Sequence, residues 1–280
     1  MKAPLKYILF AAWMLALGCT QEQQLLEENF VVEAFLFTGE PVNNITIKQI
    51  QPLTGGSSEP VLIKDAEVTI TKNQISYDLT YVDSTGRYAY PGTDLIVNTG
   101  DRFALQVVKG NRVANAETVV PEPASGVTVS SDTLVIPIIQ IRLGIAEELT
   151  KLFNTGRVTV SWSNAENQLH FVVVENVVEG DLIFPADFPI PKQTLALVQS
   201  FRYISAPTTD TSFEVPGLSL DTYGTYRAKV YRVNQEYADL YNNQVQDSRD
   251  LNEPPSNIRN ALGIFSAFAS DAVTFEVTKN

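Results

Sequence analysis

Short runs of alternating apolar and polar residues, separated by turn signals, constrain this chain more than any other feature. The runs are rich in Val, Ile, Thr, Tyr and Phe, and a period of two is typical of half-buried strands. Asp83–Gly86 and Lys109–Asn111 lie between such runs and favour hairpin turns, because Gly and Asn tolerate positive φ. The chain is therefore predicted to be all-β, with antiparallel sandwiches. Strands are predicted at 30–37, 45–51, 66–72, 76–82, 102–108, 112–120, 158–163, 169–175, 194–204, 211–218 and 224–234.

Two sandwich domains are predicted on either side of a linker at 121–126, where two prolines and a glycine disfavour both helix and central strand. Residues 30–120 are assigned to an Ig-like sandwich and 127–280 to a second sandwich. The Pro- and Phe-rich stretch Leu182–Lys192 predicts a looped insertion at about 179–193. Helical spacing predicts short helices at 146–153 and 235–246, and the ending 262–277 is interpreted as a final hairpin.

The second sandwich resembles a known fold at three places. Trp162 lies in a predicted strand, Val215–Leu218 forms a Gly-Leu corner, and a Tyr-rich strand follows at Tyr226–Asn234. This arrangement resembles the fibronectin type III pattern, in which a strand-borne tryptophan packs the core.

The first nineteen residues have the layout of an export signal. Lys2 and Lys6 precede the apolar run Tyr7–Leu17, which is about half the ~20 residues that a membrane-spanning helix needs. Leu15–Gly18 directly before Cys19 resembles the lipobox of bacterial lipoproteins. The resemblance implies that residues 1–18 are a signal peptide, that Cys19 is acylated, for example with palmitate, and that residues 19–29 are a tether. An ordinary secretory signal with a chance cysteine is the alternative.

Charge and cysteine content exclude several function classes. The net charge is −12, and removing residues 1–18 takes away two lysines and no acid, which makes it −14. Such a chain is a poor partner for nucleic acid or for a polybasic contact with a membrane, so the lipid is left as the membrane attachment. The single cysteine provides no disulfide framework or zinc cluster. No cofactor or metal is expected.

Catalytic groupings are not found in the sequence. His170 is the only histidine and lies in a predicted strand, and no Gly-x-Ser-x-Gly elbow is present. Carboxylates in predicted loops leave a paired-acid hydrolase as a weaker alternative, because the sequence does not show which acids converge. The chain is predicted not to be an enzyme. The acids considered are Asp181, Asp187, Asp210 and Asp221.

Aromatic residues suggest a different kind of site. Phe184 and Phe188 lie on the predicted insertion, and Tyr237 and Tyr241 share one face of a predicted helix. Exposed aromatics bury much area at low entropy cost and often mark recognition surfaces. They are candidate ligand or partner contacts, and the equally weighted alternative is that they cap the edge of the sandwich.

Asn252–Phe265 is the most distinctive interior motif. Its Pro-Pro-Ser-Asn-Ile and Leu-Gly-Ile-Phe resemble the signature near the end of the Bacteroidota lipoproteins of domain of unknown function 4249. Three further stretches resemble other parts of that family, namely Phe30–Ala34, Pro60–Tyr90 and Val119–Pro123. The family's paired glycines are replaced here by Asn260 and Ala261, so the turn requires a left-handed Asn or another shape.

This resemblance transfers no catalytic residues. It implies an outer-membrane lipoprotein, facing the cell surface or the periplasm, that assists a TonB-dependent transporter by capturing substrate or by binding the barrel. An adhesion or surface-binding module is the alternative, because sandwiches of this kind serve many functions.

Overall fold

The computed structural model describes residues 29–50, 60–138, 156–183, 203–244 and 256–279. Within these ranges the chain is mostly β-structure, with one α-helix, α1 (Gln235–Gln244). The chain divides into two compact units. Unit 1 comprises the described residues of 1–120 and 239–267, and unit 2 those of 121–238 and 268–280. The prediction of an all-β fold is confirmed.

Unit 1 is built from strands that follow the predicted runs closely. They are β1 (Phe30–Phe37), β2 (Ile45–Gln49), β3 (Glu67–Lys72), β4 (Ile75–Val82), β5 (Arg87–Ala89), β6 (Arg102–Lys109), β7 (Arg112–Val119) and the first part of β15 (Leu262–Lys279). Their hydrogen-bonded order is β15-β1-β2-β5-β4-β3-β6-β7. β5 was not among the predicted strands, because three residues are too few to show a period.

The core of unit 1 follows from the alternation of its strands. In β1 every second residue is buried, from Phe30 to Leu36, and the residues between them are partly exposed. Phe103, Leu105 and Val107 form the corresponding buried row on β6. Burying each large apolar side chain contributes about 1.5–3 kcal/mol, so these rows fix which face of each strand points inward.

A short segment joins the two ends of this strand order. We call Ser256–Ala261 the clasp. Its Arg259 exchanges both backbone hydrogen bonds with Asn115 of β7, at 2.8 and 3.2 Å, and Ile258 is buried beside it. β7 ends the order and β15, which follows the clasp, begins it. The clasp therefore connects the two edges of the sheet of unit 1.

Unit 2 contains two sheets. Besides the end of β15, its strands are β8 (Ser125–Val129), β9 (Thr133–Ile136), β10 (Arg157–Ser163), β11 (His170–Leu182), β12 (Tyr203–Ile204), β13 (Ser212–Pro216) and β14 (Thr222–Arg232). The first sheet has the order β13-β10-β8, and the second has the order β12-β11-β14-β15, with β9 parallel to the end of β15.

One hydrophobic core lies between these two sheets. Val160 and Trp162 of β10 belong to the same buried cluster as Val172 of β11, Val230 of β14 and Phe275 of β15. Two antiparallel sheets that share one core form a β-sandwich. Unit 2 is thus a β-sandwich, and Trp162 is buried in its core, as predicted.

Tyr226 pins the corner that leads into β14. Its hydroxyl accepts the Thr222 N–H at 3.1 Å and lies 2.8 Å from the Thr222 carbonyl oxygen and 2.9 Å from Oδ1 of Asp221. A tyrosine near the start of this strand that bonds to the backbone a few residues earlier is the tyrosine corner of such sandwiches. Burial is the main cause that raises the pKa of Tyr226, so the hydroxyl stays protonated.

Tyr226→Phe is expected to destabilise unit 2 by about 1–2 kcal/mol, because it leaves the buried Thr222 N–H without its acceptor. Thermal unfolding of the whole chain measures this loss. Tyr77→Phe is the control, since the Tyr77 hydroxyl has no hydrogen bond to the described residues. Equal melting temperatures for the two variants would contradict the role assigned to the corner.

The structure corrects the predicted boundaries. Ser125 and Gly126, assigned to the linker, begin β8, and β11 continues to Leu182 instead of ending where the insertion was predicted to start. The predicted final hairpin is wrong. β15 runs unbroken because β14 supplies partners along the proposed turn, including Val230 for Asp271. Within the range assigned to the second domain, the described residues of 239–267 belong to unit 1.

Other predictions gave mixed outcomes. The predicted helix at 235–246 corresponds to α1, and Lys109–Asn111 does join β6 to β7 in a tight hairpin. β8 and β9 were missed because they are short and irregular in pattern. The helix predicted at 146–153 lies outside the described residues, as does most of the predicted strand 194–204.

Candidate functional site

A groove of about 570 Å³ on unit 1 is the candidate site. Strands β3, β4, β6 and β7 and the clasp line it, and most of the lining side chains are small or uncharged and polar. We call it the polar groove. Its lining residues are Thr69, Thr71, Ser76, Ala104, Leu105, Gln106, Asn115, Ala116, Glu117, Asn257 and Arg259.

The strand alternation that builds the core also builds this groove. Ile70 and Leu105 are buried, so their neighbours along each strand point to the opposite face. The register places Thr69 beside Gln106, and Gln106 beside Asn115. A row of hydroxyl and amide groups therefore crosses three strands.

Hydrogen bonds order this row without saturating it. The Thr69 hydroxyl donates to Asp78 at 2.9 Å, and Nε2 of Gln106 donates to Oδ1 of Asn115 at 3.2 Å. A neutral amide offers two N–H donors and a carbonyl acceptor. Within the described part of the chain, the Gln106 carbonyl oxygen and the Asn115 amino group have no hydrogen-bond partner, so both can bind a ligand.

The clasp forms one wall of the groove. Asn257 holds this wall by a two-way contact, in which its Nδ2 donates to the Phe265 carbonyl at 2.7 Å and its Oδ1 accepts the Phe265 N–H at 2.9 Å. Nδ2 of Asn260 donates to the carbonyl oxygen of Val113 at 3.0 Å. Asn260 has φ +64°, which confirms the left-handed Asn as the solution to the missing family glycine.

Arg259 brings the positive charge of the groove. Its side chain is exposed, and within the described ranges its guanidinium makes no hydrogen bond or ion pair. Glu117 brings the negative charge, and its Oε2 lies 3.3 Å from Nη1 of Arg102. The described lining residues therefore include one acid and one base, and their remaining polar groups are neutral.

The residues predicted as contacts lie elsewhere. Cys19, Phe184 and Phe188 are outside the described residues. Tyr237 lies on α1 in unit 2, where its half-buried ring meets the edge of Phe268 at a centroid distance of 5.2 Å. Tyr241 is on the same helix. The described ring of Tyr237 thus packs against a neighbour, as in the edge-capping alternative.

His170 occupies a structural position in unit 2. It is buried, its Nδ1 lies 3.0 Å from the Gln168 carbonyl oxygen, and its ring is tilted against Trp162 at a centroid distance of 5.8 Å. Burial lowers the pKa of His170, and the nearby Arg232 charge lowers it further, against the opposing effect of the Gln168 hydrogen bond. The residue is kept neutral inside the fold.

The lowered pKa of His170 makes unit 2 sensitive to acid. Below pH 6.5, the ordinary pKa of histidine, the unfolded chain binds the proton and the folded chain resists it. Stability is therefore expected to fall as the pH drops below 6.5, by at most about 1.4 kcal/mol per pH unit. Unfolding midpoints at pH 7.5 and 5.5 measure this loss, which His170→Gln should reduce. An equal loss in both proteins would refute the assignment.

The described carboxylates considered for hydrolysis have structural or exposed positions. Asp181 forms an ion pair with Lys279, and the hydrogen bond within that pair is the main cause of its lowered pKa. Asp221 accepts from Tyr226, and Asp210 is exposed. Asp187 lies outside the described residues. Within the described part of the chain, no group of three or more His, Cys, Asp or Glu side chains is placed to hold a metal ion.

The groove was missed at the sequence level, although part of its signal was present. Thr69 and Thr71, and Asn115 and Glu117, occupy the polar positions of alternating strands. That pattern indicates an outward face but gives no indication that neighbouring faces join.

No helix of the described residues is long and apolar enough to cross a bilayer.

Comparison with solved structures gives distant similarities. A two-domain fibronectin type III segment of chicken tenascin matches at 10% identity and a TM-score of 0.22, covering 73% of this chain and 91% of that one. Domains A168–A170 of titin match at 12% identity and a TM-score of 0.20, and the match covers 89% of this chain and 62% of that one. The FN1–FN3 domains of chicken CNTN1 match at 9% identity and a TM-score of 0.20, and the match covers 87% of this chain and 66% of that one.

Comparison with protein families is more decisive. No curated protein matches the chain. One family model, by contrast, matches residues 20–273, a range that includes β1, the strands of the polar groove and the clasp. The chain belongs to the family described as Domain of unknown function (DUF4249).

Proposed function

We propose that this chain is a non-enzymatic binding protein, anchored in the outer membrane by lipid on Cys19, that assists a TonB-dependent transporter. The polar groove is the observation that carries the binding role. It presents ordered polar groups with free hydrogen-bonding capacity, and its wall is part of the motif that resembles the family signature. A volume of about 570 Å³ lies within the range of small-molecule sites.

The anchor and the transporter rest on different support. The anchor is supported by the order of residues in a lipoprotein signal, which here consists of Lys2, Lys6, the apolar run Tyr7–Leu17 and Cys19. The transporter follows from the resemblance to Bacteroidota lipoproteins. In that setting the groove captures a ligand before it reaches the barrel.

Crosslinking tests the partner. The whole chain, with an affinity tag at its C-terminus, is crosslinked in intact cells and recovered from outer membranes, and its partners are identified by mass spectrometry. A TonB-dependent barrel recovered in amounts comparable to the chain is the expected result. Recovery of the chain without any barrel would reject the accessory role and favour the adhesion alternative.

Metabolic labelling with an alkyne analogue of palmitate tests the anchor. The wild-type chain should carry the label and sediment with membranes, and Cys19→Ala should lose both properties. Label retained by Cys19→Ala would reject acylation at this residue. Thr20→Ala is the matched control, because it changes the adjacent residue and leaves the thiol intact.

A further inference from the structure

The polar groove also restricts what it can bind. Among its lining residues, Thr69, Thr71, Ser76, Gln106 and Asn115 present hydroxyl or amide groups on one face. None of the described residues that line the groove carries an aromatic ring. An apolar cargo would gain little here, because burial of apolar surface against apolar walls drives the binding of such ligands.

The charges of the lining further restrict the ligand. The described lining residues carry one positive charge, on Arg259, and one negative charge, on Glu117, whose partner Arg102 is not among them. A polyanion would meet a single cation without an ion pair in the described structure, offset by a nearby carboxylate. The electrostatic match is therefore with a neutral ligand.

The free hydrogen-bonding groups indicate what the neutral ligand carries. The Asn115 amino group can donate and the Gln106 carbonyl oxygen can accept, at adjacent positions fixed by their mutual hydrogen bond. The Thr71 and Ser76 hydroxyls lie 3.2 Å apart and can each donate or accept. A ligand whose own groups do both at close spacing pairs with all of them.

We propose that the polar groove binds a neutral polyhydroxylated ligand, that is, a short uncharged oligosaccharide, with Asn115 and Gln106 as its main contacts and Arg259 at the rim. This ligand class rests on the binding role proposed above for the groove. Ala104 forms part of the floor, between Thr71 and Glu117 in register. A large side chain at that position would fill the groove while leaving the buried rows on the other face unchanged.

Isothermal titration tests this proposal on the whole chain purified in detergent. The probes are maltohexaose, cellohexaose, mannohexaose and the anionic hexagalacturonate. At least one neutral probe should bind, and its Kd should change less than about twofold between about 50 and 500 mM salt, because no charge on the ligand is screened. Asn115→Ala and Gln106→Ala should each weaken binding by about three- to tenfold.

Two further variants make the result specific to the groove. Ala104→Phe should abolish binding. Thr80→Ala should leave it unchanged, because Thr80 is an exposed residue of β4 that does not line the groove. Circular dichroism confirms that each variant is folded before titration.

Three outcomes would overturn the proposed ligand class. These are no binding of any neutral probe, binding of hexagalacturonate alone with steep salt dependence, and neutral binding that Ala104→Phe leaves intact. Crosslinking reports separately on the transporter. A captured barrel without sugar binding would overturn only the ligand class, and sugar binding without a barrel would overturn only the accessory role.

Discussion

Gly263→Ala is expected to destabilise unit 1 by more than about 4 kcal/mol, a large share of the total stability of a typical domain. Gly263 has φ +116°, and a Cβ at this position would lie 1.9 Å from the carbonyl oxygen of Val32 and 2.8 Å from its nitrogen. These are backbone atoms of the adjacent strand β1, so no side-chain rotation relieves the overlap. The substitution must separate β15 from β1 or distort both.

The matched control for this substitution is Gly39→Ala. Gly39 also has positive φ, at +74°, but a Cβ there would meet nothing within 4 Å. It should therefore cost only the backbone penalty of about 1–2 kcal/mol. Denaturant unfolding of the whole chain compares the two variants, and hydrogen exchange at Val32 and Ile264 locates the damage. Similar unfolding free energies would show that the close approach of Gly263 to Val32 is not what the fold requires.

Much of this fold is predictable from local sequence. In β1 the alternation from Phe30 to Phe37 coincides with the observed strand, because one buried face fixes both pattern and register. The β6–β7 hairpin follows from the Gly110-Asn111 turn for the same local reason. Interactions between neighbouring residues suffice at both places.

The failures concern contacts between residues that are distant in sequence. The described residues of 239–267 belong to unit 1 because Arg259 of the clasp pairs with Asn115 of β7, which is distant in sequence, and no local pattern encodes that pairing. The predicted final hairpin failed similarly, since Ser270 and Asp271 allow a turn but β14 supplies Tyr231 and Val230 as partners. Tertiary pairing outweighed local preference there.

The groove shows the same limit for function. Asn115 and Thr69 are ordinary polar residues of two separate strands, and only β6 between them makes them part of one surface. The family motif was recognised from its sequence, but its physical role was not. In the structure, Asn257 of the motif holds the clasp by its hydrogen bond to Phe265. Gly263 of the motif permits the close approach of β15 to Val32 of β1.

Asn257→Ala is expected to lower the free energy of unfolding of unit 1 by about 2–3 kcal/mol, which is the second largest effect that the structure predicts. The side chain satisfies both the N–H and the carbonyl oxygen of Phe265, whose own side chain is fully buried, and alanine leaves both groups without these partners. Asn257→Asp should cost less, because the carboxylate still accepts the Phe265 N–H although it cannot donate to the carbonyl.

Asn98→Ala is the control for this pair, since Asn98 is an exposed asparagine of unit 1 whose side chain makes no hydrogen bond within the described ranges. It should change stability by less than about 0.5 kcal/mol. Denaturant midpoints compare the three variants. If Asn257→Ala lowers the stability no more than Asn98→Ala does, the contact between Asn257 and Phe265 does not stabilise unit 1. Because Arg259 lies two residues further along the clasp, loss of the Asn257 contact should also loosen one wall of the polar groove. Groove binding should then weaken in Asn257→Ala under conditions in which unit 1 remains folded.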